Sequence, residues 1–106
     1  MKVGVVIYSN DSEAVWNAFR FGNFALAIGD TVKIFLFGKG VEFESLDTDK
    51  FNITEQWQTF INNGGKIFAC GTCLEIHELE PSEISAVATM KDLYEIVQES
   101  DRIIAF

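Results

Sequence analysis

Lys2-Val3-Gly4-Val5-Val6-Ile7-Tyr8 is a continuous β-rich apolar run with no polar residue between Val3 and Ile7. A strand with one wet face alternates polar and apolar side chains. A strand covered on both faces does not, and such strands belong to parallel sheets with helices on either side. The run passes straight into Ser9-Asn10-Asp11 with no cleavage-site pattern, so it reads as a buried strand and not as a secretion signal.

Working outward, strand and helix signals alternate through the chain. Ser12 to Ile28 has helical periodicity and stops at Gly29. Thr31 to Phe37 is a second strand, followed by a long loop from Gly38 to Lys50 that carries Glu42, Glu44, Asp47 and Asp49. Asn52-Ile53-Thr54-Glu55 has the spacing of a helix start. Ile53, Trp57, Phe60 and Ile61 then share one apolar face, and Gly64-Gly65 ends the helix. Lys66 to Ala69 is a third strand. Thr72 to about Leu79 holds one or two helical turns closed by Pro81. Ile84 to Ala88 is a fourth strand, or part of a loop. Thr89 caps a last helix with Leu93, Ile96 and Val97 inward, and Arg102 to Phe106 is a fifth strand. The order βαβαβαβαβ predicts a three-layer α/β/α domain of flavodoxin-like appearance. Its five-stranded sheet is mainly parallel, and one domain covers residues 1–106. In such sheets the functional crevice lies at the C-terminal ends of the strands.

On the first helix Val15, Ala18, Phe19, Gly22, Ala25 and Leu26 make a core stripe. Phe21, Phe24 and Ile28 lie about a third of a turn away. Either a neighbouring helix covers them or they belong to a subunit interface.

The net charge of −8, with only eight Lys and Arg, argues against nucleic-acid and anionic-membrane partners. No apolar run approaches the roughly 20 residues of a membrane span. A cytoplasmic location is expected, where two cysteines are more often chemical than structural. Gly38-Lys39-Gly40 lacks the spacing of a phosphate loop, and Asp11 in Ser9-Asn10-Asp11-Ser12 would repel a flavin phosphate. A receiver-type domain would need a carboxylate after the third strand, where this chain has Cys70. No cofactor and no resident metal are expected.

Cys70-Gly71-Thr72-Cys73 follows a strand and opens a helical turn. Free backbone N–H groups there favour a thiolate. Gly71 permits close backbone approach and the Thr72 hydroxyl can donate to sulfur, so both are candidate thiolate-stabilising positions. A thiolate so placed can take up sulfane sulfur and hold it as a persulfide. Other uses of C-x-x-C stay open. The cysteines can simply pack in a non-catalytic oligomeric binding module, with the acidic loop as a contact surface. The motif can serve thiol redox chemistry, though a thioredoxin places it after the first strand. Cys70, Cys73 and His77 can contribute to a zinc site, which would need a further ligand.

The chain resembles the DsrE/DsrF-like family of sulfur-relay proteins over nearly its whole length. The likeness rests on four segments in order: the Met1–Tyr8 strand, Phe35-Leu36-Phe37-Gly38-Lys39-Gly40-Val41, Ile67-Phe68-Ala69-Cys70, and the closing Ser100-Asp101-Arg102-Ile103-Ile104-Ala105-Phe106. The resemblance implies that Cys70 is the sulfur acceptor of a sulfurtransferase-type relay, that donor and acceptor proteins are its partners, and that the chain forms a homo-oligomer, a trimer or hexamer. A second cysteine at Cys73 is not general in the family. Its role is open: it can resolve a Cys70 persulfide as a disulfide, or stabilise the Cys70 thiolate through its S–H.

Overall fold

The computed structural model describes residues 1–106. The strands are β1 (Lys2–Ile7), β2 (Thr31–Leu36), β3 (Lys66–Cys70), β4 (Ala86–Ala88) and β5 (Arg102–Ala105). The helices are α1 (Ser12–Ala27), α2 (Ile53–Asn62), α3 (Gly71–Ile76) and α4 (Met90–Glu99). All five strands form one sheet in the order β4-β3-β2-β1-β5, and every pairing is parallel. The chain steps from β1 to β4 in one direction, then crosses back to place β5 beside β1. Crossovers of one hand put helices on opposite faces for the two directions of travel. Accordingly α1, α2 and α3 pack on one face with Val3, Val5, Ile7, Ile34, Leu36 and Ile67. On the other face Ile96 of α4 meets Phe35, Cys70 and Ala88. The three-layer, fully parallel arrangement is the one the alternation predicts.

Most helix ends lie where their residues ask for them. Asp11 caps α1 by accepting from the Ala14 amide at 3.0 Å. Asn52 does the same for α2 from the Glu55 amide at 3.0 Å. Thr89 and Asp92 close a reciprocal capping box on α4. α1 ends at Gly29 and α2 at Gly64, with φ of 98° and 93°. In each case the two amides beyond the helix bond back to its last turn. Phe19, Phe35, Phe43 and Phe60 are the largest fully buried side chains, and burying each contributes about 2–3 kcal/mol. No helix is long and apolar enough to cross a membrane.

The structure departs from expectation in four places. The segment expected as loop from Gly38 forms a 3-10 helix over Gly38–Ser45, with Val41 and Phe43 buried. It crosses the end of β1 so closely that a Cβ on Gly40 would overlap the Ile7 carbonyl. The tight turn is therefore possible only with glycine there. α3 stops at Ile76, well before Pro81, because Glu78 turns the chain with φ 55°. β4 spans only Ala86–Ala88, so Ile84 and Ser85 lie in the preceding turn. Val97, expected inward, is 47% exposed, because α4 is the only helix on a five-stranded face and leaves its flank open. Of the two alternatives left open for the second stripe of α1, the covering helix is absent: Phe24 and Ile28 are 67% and 64% exposed, and Phe21 is partly shielded by the Phe106 ring, 6.2 Å between centroids.

Candidate functional site

β3 ends in Cys70, and the alternation along it decides which way the thiol faces. Ile67 and Ala69 join the α1–α2 core, while Phe68 and Cys70 face α4. Cys70 pairs in register with Ala88 of β4. It is also the residue from which α3 springs, with extended φ −62° and ψ 119°. Its neighbours are apolar: Phe35, Ala88 and Ile96, with Phe37, Phe68, Leu93 and Cys73 partly buried around them. The residue is only 3% exposed. It is not sealed, however. Cys70, Gly71, Thr72 and Cys73 line an open depression of ≈ 390 Å³, completed by Val87 to Met90. Gly71 belongs there for a steric reason, since a Cβ would stand 3.0 Å from Val87 Cγ1.

The structure thus brings together all four residues that the motif singles out. Cys73 is half-buried, one helical turn on, and touches both core clusters. Burial pushes its thiol above the ordinary 9.0, while the Gly38 amide pulls the other way. Its hydrogen bond to the Cys70 sulfur and the proximity of Cys70 push it further up. Cys73 is therefore a thiol at neutral pH, with its S–H available to Cys70.

His77, weighed as a ligand, lies elsewhere. Its Nδ1 stands 2.8 Å from Glu42 Oε2, and Glu42 Oε1 accepts from Asn10 Nδ2 at 3.3 Å. Glu42 so ties the 3-10 helix to the α3 terminus and to the loop after β1. No three His, Cys, Asp or Glu side chains stand close enough to share a metal ion. Nothing in the sequence pairs positions 42 and 77, which are 35 residues apart. Val87 and Met90, which shape the mouth of the depression, also gave no sequence signal beyond apolarity. Asp47 is likewise structural: it accepts from the Ile53 and Thr54 amides at 2.7 and 2.9 Å and caps α2.

A lone cysteine at the C-terminal end of the third parallel strand is a position, and a position acquires meaning through relatives. The model of the DsrE/DsrF-like family matches residues 1–106. The chain belongs to the DsrE/DsrF-like family. Two archaeal proteins are similar to this DsrE-like chain in sequence. MK0008 of Methanopyrus kandleri is 35% identical over 100 residues, covering 89% of this chain and 83% of that protein. MJ0989 of Methanocaldococcus jannaschii is 32% identical over 100 residues, covering 89% and 88%. Solved structures share the DsrE-like fold at lower identity. The ychN protein of E. coli superposes with a TM-score of 0.84 at 15% identity, covering 100% of both chains. MTH1491 of Methanobacterium thermoautotrophicum gives 0.79 at 13% identity, covering 99% of this chain and 98% of its own.

Proposed function

We propose that this DsrE-like chain is a cytoplasmic sulfur-relay protein in which Cys70 accepts sulfane sulfur as a persulfide and passes it to a partner protein. The observation that carries the reading is the position of Cys70: at the end of β3 in a DsrE-like fold, on the wall of an open depression. The Cys70 thiolate attacks the outer sulfur of a donor persulfide, R–S–SH. The new S–S bond forms as the old one breaks, R–S⁻ leaves, and Cys70–S–SH remains. No electrons are gained or lost overall, so the transfer needs neither metal nor redox cofactor. Onward transfer repeats the step with the acceptor's thiolate attacking the outer sulfur.

Gly71 gives the incoming sulfur room beside the backbone, and Thr72 stands exposed at the rim with its hydroxyl free to donate to sulfur. Of the two roles open to Cys73, its raised pKa supports the second. A thiol that stays protonated donates S–H to the Cys70 sulfur and attacks the persulfide slowly. The partners are donor and acceptor proteins, and the working assembly is a homo-oligomer, a trimer or hexamer.

Intact-mass spectrometry after incubation with a sulfane-sulfur donor tests this. One added sulfur, lost on reduction, is expected on the native chain and on Cys73→Ser, and is absent from Cys70→Ser. Loading that survives in Cys70→Ser and vanishes in Cys73→Ser would move the role to Cys73. A second reading, a binding module whose cysteines only pack, draws support from the 3% exposure of Cys70. It gains the day if no donor loads any of the three proteins.

A further inference from the structure

Beside the thiol depression lies a second, larger groove of ≈ 610 Å³. The two share Gly71 and Val87, so they form one continuous surface. The floor of the groove is apolar, with Leu74, Leu79, Pro81 and Val87, and Val87 is 56% exposed. Its rim carries Glu75, Glu78 and Glu80. None of these carboxylates is in an ion pair. The ion pairs in the molecule join the Met1 amino group to Asp30, Lys33 to Glu99, and Lys91 to Glu95, while His77 hydrogen-bonds with Glu42. No lysine or arginine lines the groove to balance them. Lys2, Lys33 and Lys66 stand at the starts of the parallel strands β1, β2 and β3, around Glu99. Lys39 and Lys91 follow Gly38 and Met90 at the thiol end, so the unbalanced negative charge belongs to the groove rim itself.

We propose that the sulfur-bearing partner of Cys70 is a protein that lays a basic segment in this groove and brings its own cysteine to the adjoining depression. The proposal rests on the relay reading and deepens it by naming the class of donor. An apolar floor wants side chains with apolar stems, and an unpaired anionic rim wants positive heads. Lysine and arginine supply both. The same rim repels anionic low-mass sulfur carriers such as thiosulfate, which places the transfer between proteins.

The test compares two peptides with one cysteine each, activated as the neutral 2-pyridyl disulfide, one flanked by lysines and one by glutamates. Attack by the Cys70 thiolate forms the protein–peptide disulfide and releases thiopyridone, whose absorbance gives the rate. Peptide mapping assigns the labelled cysteine. At low ionic strength the lysine peptide is expected to react at least about tenfold faster. The ratio falls towards one in high salt, and also in the triple variant Glu75→Gln, Glu78→Gln, Glu80→Gln. Glu13→Gln, on α1, leaves it unchanged. Equal rates for the two peptides at low salt, or a ratio indifferent to the triple variant, overturns the proposal. Sulfur loading of Cys70 is read separately by mass. If Cys70 loads from thiosulfate as fast as from a lysine-flanked peptide persulfide, the groove proposal falls and the relay stands. If the charge preference holds while sulfur never loads, the groove stands as a binding surface and the relay falls.

Discussion

Glu78 occupies the left-handed position that ends α3, with φ 55°, where α1 and α2 have glycine. The amides of Glu78 and Leu79 bond back to Glu75 and Leu74 at 3.1 and 2.9 Å, so the turn is the same device built with a less suitable residue. A side chain there costs roughly 1 kcal/mol against glycine. Glu78→Gly is therefore expected to raise stability by about that amount, read as a shift of the denaturation midpoint at unchanged slope. A rim carboxylate is lost with it, so the preference for the lysine peptide should fall as stability rises. Stabilisation without that fall would separate Glu78 from the groove. At this scale the sequence was most informative about Cys70 and Cys73, because chemistry and spacing there are local. It was silent on Glu42 with His77, which are 35 residues apart, and on the left-handed Glu78, because glutamate is not a residue that marks that conformation.

Among the elements, α2 shows how a helix start can be only half legible. Asn52 and Glu55 announce it by their spacing. Asp47 contributes as much, reaching over the turn to the Ile53 and Thr54 amides and to the Thr54 hydroxyl at 2.5 Å. A loop residue six positions away carries no signature of such a role. Burial of Asp47 pushes its pKa up, but the three hydrogen bonds outweigh that and hold it below the ordinary 3.8. A depressed carboxylate stabilises the fold above its unfolded value. That contribution is lost as pH falls through the lower folded value. Asp47→Ala is expected to cost about 1 kcal/mol at neutral pH. Acid titration of stability below pH 3.8 should be shallower in Asp47→Asn than in the native chain. An unchanged acid limb would mean that Asp47 does not cap α2 in solution. The 3-10 helix has no clear sequence signature for a related reason: its acidic residues imitate a solvated loop, while only Val41 and Phe43 point inward.

For the molecule as a whole, the parallel three-layer architecture followed from the buried β1 run and the alternation, since both are repeated along the chain. Assembly is a separate matter. Phe24 and Ile28 on α1, and Met90, Tyr94 and Val97 on α4, stand exposed on opposite faces of the sheet. Apolar patches of this kind mark contact surfaces. Under the proposed oligomer, light scattering at micromolar concentration gives three or six times the chain mass of 11.9 kDa. Either Phe24→Asp or Tyr94→Asp, on whichever face is buried, returns it to one. A native mass of one chain refutes the oligomer.

The strand order has a consequence for how the polypeptide is made. β1 lies between β2 and β5, and Val3 pairs with both Val32 and Arg102. Its first neighbour is synthesised soon after it, its second only much later. At 5–20 residues per second the ribosome takes up to about 14 seconds to cover that interval. During that time β1 can be paired on one side only, offering a bare row of amides and carbonyls to any other chain in reach. Closing the β1–β5 pairing spans the longest loop in the molecule, so the sheet's last ladder to form involves its first strand.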